Sequence, residues 1–304
     1  MTEPILVLTG ATASGKSALA VQLAEEAGAE LVSMDSMAVY RRMDIGTAKP
    51  SEAERARVPH PLIDVVGPDE PFDTATWCRL AQAVVDRPDG RPLIFVGGTP
   101  LYLMAFFKGM LEGPSADPGI RARLEAAEDQ DPGCLHRLLV ERDPAAAARI
   151  HVRDRKRLVR ALEVLEQTGR PISEQQDTFH ASGWRIPCRV LWIDRDRDDL
   201  RERVKVRTRA MLEAGLLEET RSIREDVGFA PAAAAAIGYA ECLRHLERPF
   251  KDEEELRNRI RRSTHRLIRR QTTWLRRVPG ILRMTEGYDL ATARRILAAD
   301  RARG

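Results

Sequence analysis

Eight residues near the N-terminus form the G-x-x-x-x-G-K-[ST] pattern of a phosphate-binding loop. They are Gly10, Ala11, Thr12, Ala13, Ser14, Gly15, Lys16 and Ser17. In this pattern glycines let backbone N–H groups surround phosphate oxygens, the lysine adds a positive charge, and the last hydroxyl can ligate Mg²⁺. We therefore expect a diphosphate or triphosphate site here, with Mg²⁺ as the cofactor and Ser17 as its ligand.

The phosphate loop alone leaves the reaction open. A kinase or NTPase would use it to hold a nucleotide, with an acidic residue after a neighbouring strand helping to hold Mg²⁺. Asp35 and Asp194 both follow predicted strands and could fill that role. The same loop could hold a diphosphate that departs as a leaving group, because stabilising its growing charge is the same electrostatic task.

Short apolar runs predict the strands that must position these residues. Such runs occur at 4–9, 30–33, 92–96 and 189–193, and a helix-like stretch follows the phosphate loop. Because these runs end at glycine-rich or acidic segments, we expect the functional loops to cluster at one edge of a parallel sheet. The predicted fold class is α/β, with a P-loop NTPase-like parallel sheet flanked by helices.

Proline and glycine breaks predict a helical subdomain inserted into this scaffold. The insertion is expected to cover 113–186, so that 1–112 and 187–304 together form the core. The C-terminal part of the core is predicted to be helical, with helices over 200–222, 231–247 and 252–277. The five consecutive alanines 232–236 favour a tightly packed helix in the second of these segments.

Composition excludes several classes of protein. The net charge of +3 and the pI of about 8.8 are only mildly basic, so charge by itself does not indicate a nucleic-acid partner. The four cysteines lie far apart without a C-x-x-C pair, which favours free thiols over disulfides or a zinc site. Since no run reaches the roughly 18 apolar residues of a membrane span, we expect a cytoplasmic monomer without membrane contact.

The arginines are concentrated in one C-terminal segment. Residues 257–277 contain nine arginines and His265 but no acidic residue. A second set of positions in this segment follows helical spacing and would form the packed face: Ile260, Thr264, Leu267, Ile268, Gln271 and Leu275. We interpret the basic face as an RNA-phosphate surface and assign Trp274 to core packing.

The run DSMAVYRRMDIGTAKP, from Asp35 to Pro50, resembles that of the tRNA dimethylallyltransferases. The resemblance continues through HPLID at 60–64, Gly97-Gly98-Thr99, RLVRALE at 157–163, MLEAGL at 211–216, Ile237-Gly238-Tyr239 and RQTTWLR at 270–276. These motifs stand in the family's order with similar spacing and span most of the chain. On this basis we identify the chain as a member of that family.

The resemblance implies a prenyl transfer to RNA. The phosphate loop would hold dimethylallyl diphosphate, and a flipped-out adenosine at tRNA position 37 would present its exocyclic N6 amine, with pyrophosphate as the leaving product. That amine is a poor nucleophile, so a base that accepts its proton is useful, and the resemblance assigns this role to Asp35. The Thr99 hydroxyl would orient the reacting groups, and Arg207 would bind the diphosphate through its guanidinium fork.

The resemblance also implies a set of tRNA-binding residues. They are Asp35, Ser36, Met37, Ala38, Thr99, Arg121, Lys156, Arg157, Arg160, Gly238, Tyr239, Arg270, Gln271 and Arg276. Ala38 and Lys156 replace a frequent glutamine, and Ala240 replaces a frequent basic residue. Because Arg153, Arg157 and Arg160 also share one helix face, two basic surfaces would hold an anticodon stem-loop with its bases splayed out.

Three other functions are consistent with part of the pattern. An enzyme that prenylates free AMP would share the phosphate loop and Asp35 but would have little use for the basic insertion. A P-loop nucleotide kinase is supported by the phosphate loop alone. A non-catalytic RNA-binding protein would not need Asp35 for its activity.

Overall fold

The computed structural model describes residues 4–109, 114, 116–174 and 184–301, and it divides into two compact units. The core unit comprises Met1–Phe106 and Ile186–Gly304, and the helical unit comprises Phe107–Arg185. The predicted boundary between residues 112 and 113 lies outside the described residues. No helix in the described ranges is long and apolar enough to span a membrane, and all four cysteines are free thiols.

Five parallel strands form the sheet of the core unit, in the order β2-β3-β1-β4-β5. Their bounds are Ile5–Gly10 (β1), Glu30–Ser33 (β2), Leu93–Gly97 (β3), Cys188–Ile193 (β4) and Leu282–Met284 (β5). The first four confirm the predicted strands and the α/β fold class. The sequence does not predict β5, because three residues with a central arginine make no apolar run. Since all pairs are parallel, the loops that follow the strands share one edge.

Helices cover both faces of this sheet in the core unit. Those before the helical unit are α1 (Lys16–Ala27), α2 (Glu52–Arg57), α3 (Thr74–Val85) and α4 (Pro100–Leu103), with a π-helical turn at Met104–Gly109. On one face, Leu19 and Leu23 of α1 pack on Leu8, Leu31 and Leu191 of the strands. The other face carries an aromatic cluster in which Trp77 stacks on Tyr102, with ring centroids 4.3 Å apart. Burial of both faces fits the apolar character of the strands.

Four helices of the helical unit have their full bounds within the described residues, and they surround an apolar cluster of that unit. They are α5 (Pro118–Gln130), α6 (Cys134–Arg142), α7 (Pro144–Ala147) and α8 (Arg155–Thr168). Leu124, Leu135, Leu139, Leu158 and Leu162 are all buried in this cluster. Asp117 and Asp154 cap the starts of α5 and α8 with their side chains, which satisfies backbone N–H groups at those helix ends.

The C-terminal part of the core unit is helical, but its helices are shorter than expected. They are α9 (Arg197–Glu213), α10 (Leu216–Asp226), α11 (Pro231–Ala234), α12 (Tyr239–Glu247), α13 (Glu253–Leu275) and α14 (Leu290–Arg301). The predicted single helix over 200–222 is wrong, because Gly215 adopts φ +95° and separates two helices. The alanine run also breaks after Ala234, and Gly238 with φ +97° starts the next helix.

A buried carboxylate ties α5 to α8 in the helical unit. Glu163 is fully buried, and its oxygens accept hydrogen bonds from Arg121 Nε (2.8 Å), Arg160 Nη1 (2.7 Å) and the Asp117 backbone N (2.8 Å). Burial alone would raise the pKa of Glu163, but the bonds from Arg121, Arg160 and Asp117 lower it to about 2. The charged form of Glu163 therefore stabilises the folded unit.

We expect Glu163→Gln to lower the free energy of unfolding by about 2–3 kcal/mol at neutral pH, since charge-assisted bonds to two arginines are lost. The native pKa lies below the unfolded value of 4.5, so the stabilisation is present above 4.5 and is lost as the pH falls toward 2. Denaturant unfolding at several pH values should show the difference shrinking in that window. Glu166→Gln, a partly exposed position on α8, is the matched control and should differ little.

Candidate active site

The phosphate loop connects β1 to α1 and leaves no room for larger residues. A Cβ on Gly10 would lie 2.7 Å from Ser14 Oγ and 2.9 Å from the Ile193 carbonyl oxygen. Gly15 adopts φ +88°, and Ala13 also has a positive φ of +67°. The pattern therefore supplies the small residues that a loop of this curvature requires, and the axis of α1 starts directly at the loop.

Lys16 is the first residue of α1. Its ammonium lies beside Gly98, in the glycine loop Gly97-Gly98-Thr99 that follows β3. Its Nζ is 3.4 Å from the Ala11 carbonyl oxygen and 3.4 Å from the position a Cβ on Gly98 would take. Burial, opposed by the charge of Asp35 and assisted by that of Arg207, lowers the pKa of Lys16 to about 8. A bound anion would reverse this shift, because it would replace the lost solvation of the ammonium.

Asp35 follows β2 and begins a tight turn. Its Oδ1 accepts hydrogen bonds from the backbone N of Met37 (2.8 Å) and Ala38 (3.3 Å). Thr99, after β3, accepts a hydrogen bond from the Ser36 backbone N through its hydroxyl at 3.2 Å. Within the described ranges, no hydrogen bond to the second carboxylate oxygen of Asp35 is found. One oxygen thus fixes the turn, and the other is left to act on a ligand.

Two cavities meet at Asp35. The larger, about 330 Å³, is lined by Ser36, Thr99, Met211, Ile237 and Trp274 among others. The smaller, about 160 Å³, is lined by Lys16, Ser17 and Ala38 among others. Four residues line both cavities: Thr12, Asp35, Thr47 and Arg207. The carboxylate therefore stands between a mostly apolar space and the phosphate loop.

Arg207 projects from α9 into this junction. Burial lowers the pKa of Arg207, and the charge of Asp35 opposes that shift. Its guanidinium also lowers the pKa of Lys16, so the two cations lie close enough to repel each other. A pair of partly desolvated cations around one carboxylate is arranged to receive an anion with more than one negative charge.

Gln271 of α13 joins the two glycine loops. Its Oε1 accepts a hydrogen bond from the Thr12 backbone N at 2.9 Å, and its Nε2 donates to the Gly98 carbonyl oxygen at 2.6 Å. The side chain is buried, and a Cβ on Gly98 would collide with it at 2.7 Å. Sequence reasoning did not find this bracing role, since a polar residue on the packed face of a helix has no distinctive spacing.

Lys49 is a second residue whose structural role the sequence did not reveal. Its buried ammonium donates hydrogen bonds to the Tyr40 carbonyl oxygen (2.6 Å), Asp44 Oδ1 (2.6 Å) and Asp64 Oδ1 (2.5 Å). These bonds close the long segment after Asp35 onto itself. The signal available in the sequence was the position of Lys49 inside the motif, without any indication of its partners.

Comparison with known proteins assigns this chain to a family. A sequence profile described as IPP transferase matches residues 38–278. The chain belongs to the IPP transferase family. It is 44% identical over 282 residues to a tRNA dimethylallyltransferase of Geobacter sulfurreducens, covering 91% of this chain and 90% of the relative. A relative of the same description from Myxococcus xanthus is 41% identical, with 95% of each chain covered.

Solved structures of this family share the fold. The full-length tRNA isopentenylpyrophosphate transferase of Bacillus halodurans superposes with a TM-score of 0.71 at 32% identity, covering 99% of this chain and 96% of its own. A eukaryotic dimethylallyltransferase, described as acting on tRNA, gives a TM-score of 0.80 at 26% identity, covering 99% and 79%. The P-loop core and its helical insertion are therefore features of the family that this chain retains.

Among the predicted tRNA-binding residues of the core unit, Ala38 lines the smaller cavity and Arg276 lines a separate groove, and the others fall into two groups. Those that line the larger cavity with Asp35 are Ser36, Met37, Thr99, Arg270 and Gln271. Gly238 and Tyr239 lie apart from them, and the Tyr239 ring is fully buried. The Tyr239 hydroxyl donates to Glu219 Oε1 at 2.5 Å and accepts from the Gly46 backbone N at 3.1 Å. In this structure Tyr239 fixes the 35–50 segment, and its contact with RNA stays a prediction.

The predicted tRNA-binding side chains of the helical unit differ in how firmly other residues hold them. Arg121 and Arg160 are held by Glu163, with about a third to two fifths of each side chain exposed. Arg157 is 71% exposed and only loosely paired with Asp154, and Lys156 is also exposed. The buried carboxylate therefore fixes the guanidinium groups of Arg121 and Arg160, whereas Arg157 and Lys156 are exposed to solvent. The RNA contacts of all four stay predictions.

Three expectations from the sequence need correction. Trp274 is not core packing, because 41% of it is exposed at the larger cavity. The basic helix does have compensating carboxylates, because Glu253, Glu254 and Glu255 in its first turn form salt bridges with Arg257, Arg259 and Arg261. Asp194 lines a groove separate from the phosphate loop, and its carboxylate accepts a 3.1 Å hydrogen bond from Arg283.

We expect the affinity for inorganic pyrophosphate to fall about tenfold per pH unit above pH 8, since the free protein must then regain a proton on Lys16 to bind. Titration calorimetry on both sides of that pH measures it. Lys16→Arg stays positively charged, so its affinity for pyrophosphate should not begin to fall near pH 8. If the affinity of Lys16→Arg for pyrophosphate also begins to fall near pH 8, the proton belongs to another group.

We expect Gln271→Leu to weaken pyrophosphate binding, because the Thr12 N–H and the Gly98 carbonyl lose their partner at a cost of about 1–3 kcal/mol each. Gln271→Glu should also weaken it, since its second oxygen would face the Gly98 carbonyl oxygen. Arg277→Gln, an exposed position just after α13, is the control. Equal affinities for all three variants and the unmodified chain would show that the loops hold their geometry without Gln271.

Proposed function

We propose that this chain transfers a dimethylallyl group from dimethylallyl diphosphate to N6 of the adenosine at tRNA position 37. Family membership supports this, because curated relatives over 40% identical carry the description tRNA dimethylallyltransferase. The observation that carries the proposal is the junction of two cavities at Asp35. A donor bound at the phosphate loop and an acceptor base in the larger cavity would meet at that carboxylate.

The proposed reaction is a substitution at the allylic carbon. The N6 nitrogen forms a bond to that carbon as the carbon–oxygen bond to the diphosphate breaks, and pyrophosphate leaves with the bonding electrons. Asp35 takes the proton that the amine loses, which its free carboxylate oxygen can accept. Lys16 and Arg207 stabilise the charge that grows on the leaving diphosphate. Thr99 lines the larger cavity beside Asp35, and its hydroxyl would orient the amine.

We also propose Mg²⁺ as the cofactor, held through Ser17. Mg²⁺ usually takes only one or two protein oxygens and completes its shell with phosphate oxygens and waters. Ser17 fits this chemistry, because it is exposed on the phosphate-loop side and lines the smaller cavity together with Asp35. When bound, the ion would neutralise diphosphate charge. The described residues contain no cluster of three acidic, histidine or cysteine ligands, so the diphosphate itself would have to complete the site.

Several features favour RNA over a free nucleotide as the acceptor. The larger cavity is bordered by Arg270 and by Trp274, whose exposed ring offers a surface on which a neighbouring base could stack. A free AMP has no neighbouring base that could stack on Trp274. The eukaryotic structural neighbour is described as acting on tRNA, and we propose the anticodon stem-loop as the part of tRNA that is bound. We also propose that the enzyme is a cytoplasmic monomer.

We expect Asp35→Asn to lower the rate of dimethylallyl transfer by about 10²–10⁴-fold, because the general base is lost. Asn preserves the Oδ1 acceptor for Met37 and Ala38, so the turn should keep its shape. The measurement is single-turnover transfer to unmodified tRNA, with tRNA and pyrophosphate affinities recorded in parallel. A parallel loss of both affinities would instead mean that Asp35 acts through the structure of the turn.

Three substrates separate the proposed function from its alternatives. Mass analysis of tRNA nucleosides after incubation with dimethylallyl diphosphate and Mg²⁺ should show the prenylated adenosine. Prenylation of AMP at a comparable rate would favour the free-nucleotide enzyme. Phosphate transfer from γ-labelled ATP would favour the kinase, and normal biological activity of Asp35→Asn would favour the non-catalytic RNA-binding protein.

A further inference from the structure

A groove separate from the two cavities at Asp35 lies along a different side of α13 from the larger cavity, which we call the active-site cavity. This groove, about 940 Å³ in volume, runs between the start of α9 and the second half of α13, beside the loop after β4. The α13 residues that line it are His265, Ile268, Arg269, Thr272, Thr273 and Arg276, whereas Leu267, Arg270, Gln271 and Trp274 line the active-site cavity. The two openings thus share one helix but almost none of its positions. We call the second opening the α9–α13 groove.

The α9–α13 groove has an excess of positive charge. Five arginines and one histidine line it, against the two carboxylates of Asp194 and Asp196. Both carboxylates are occupied, since Asp194 pairs with Arg283, and Asp196 accepts the backbone N–H groups of Asp198 and Asp199 at the start of α9. Neither acidic group is therefore free to neutralise the arginines of the groove.

Three of these arginines have no acidic partner among the residues that the structure describes. They are Arg197 on α9 and Arg269 and Arg276 on α13, and all three are exposed. The other two are engaged: Arg195 binds Asp199 and the Ser14 carbonyl oxygen, and Arg201 binds Asp198. The helices therefore present three unpaired guanidinium groups toward one space, an arrangement in which each repels the others without a bound anion.

The pKa of His265 reflects the same excess of positive charge. It is partly buried at the wall of the groove, and its pKa is lowered first by burial and then by the charges of Arg201, Arg197 and Arg261. A histidine among carboxylates would shift in the opposite direction. The groove is thus a region of positive potential.

We propose that the α9–α13 groove binds the sugar–phosphate backbone of the tRNA whose anticodon base enters the active-site cavity. This rests on the proposed function, and it extends the RNA surface to Arg197 and Arg269. A single nucleic-acid strand offers what the groove requires, which is several negative charges at regular spacing over a space too wide for one phosphate. Continuity supports it, because Arg269 and Arg270 are neighbours that face the groove and the cavity respectively.

The contacts would position the RNA without reading its sequence. Arginine side chains bind phosphate oxygens in a bidentate manner and carry no base information. The groove would therefore add affinity and fix the position of the RNA, while the cavity at Asp35 would select the target base. Mutations of Arg197 and Arg269 should consequently affect all tRNA substrates alike and should not alter the affinity for pyrophosphate.

The test compares Arg197→Ala, Arg269→Ala and the double variant in tRNA binding at a series of salt concentrations. Each single change should reduce the slope of log affinity against log salt by about 0.7–0.9, which corresponds to about five- to eightfold weaker binding at 0.1 M salt. The double variant should show the sum. Arg209→Ala, exposed on α9 outside the groove, is the matched control and should bind as the unmodified chain does.

Two further measurements keep the outcomes distinct. Unchanged slopes in both single variants would overturn the proposal, and so would weaker pyrophosphate binding with unchanged tRNA affinity, which would make the groove a site for a small anion. Prenylation of tRNA by the unmodified chain tests the proposed function separately. If transfer is absent while the slopes fall as expected, the groove is an RNA surface and the proposed chemistry is wrong.

Discussion

The active site depends on the close approach of two glycine loops at one edge of a parallel sheet. A Cβ on Gly97 would lie 2.1 Å from the Met34 carbonyl oxygen, and one on Gly98 would collide with Gln271. Only hydrogen atoms at these positions let the turn at Asp35, the hydroxyl of Thr99 and the phosphate loop share one junction. The phosphate loop, Asp35 and Thr99 are placed by this packing, since each of them follows a different strand, whereas Arg207 and Gln271 reach the site from helices.

The second constraint is electrostatic. The site buries the cationic groups of Lys16 and Arg207 near the single carboxylate of Asp35, and burial disfavours both positive charges. Such an arrangement costs stability in the free protein and is offset when a diphosphate binds. In the proposed reaction two tasks would be divided among these groups: the cations would stabilise the leaving group, and the carboxylate would accept a proton from the incoming amine.

The helix α13 borders both the active site and the groove proposed to bind RNA. Its packed face supplies Gln271 to both glycine loops, one flank borders the cavity with Arg270 and Trp274, and the other flank borders the α9–α13 groove. Only the arginines of its first turns are neutralised, by the glutamates that begin the helix. The distribution of charge along one helix therefore leaves its second half free to bind phosphates while its apolar side holds the catalytic loops.

The sequence by itself determined the phosphate loop, the four longer strands and the α/β class, because these depend on local patterns of glycine, charge and apolar residues. It also determined the family, through motifs that are contiguous in the chain. Only the tertiary structure decided that Gln271 braces two loops, that Trp274 is exposed, that Glu163 holds Arg121, and that helices break at Gly215 and Gly238. These features depend on partners distant in sequence or on backbone angles that tertiary packing selects, and no local periodicity encodes them.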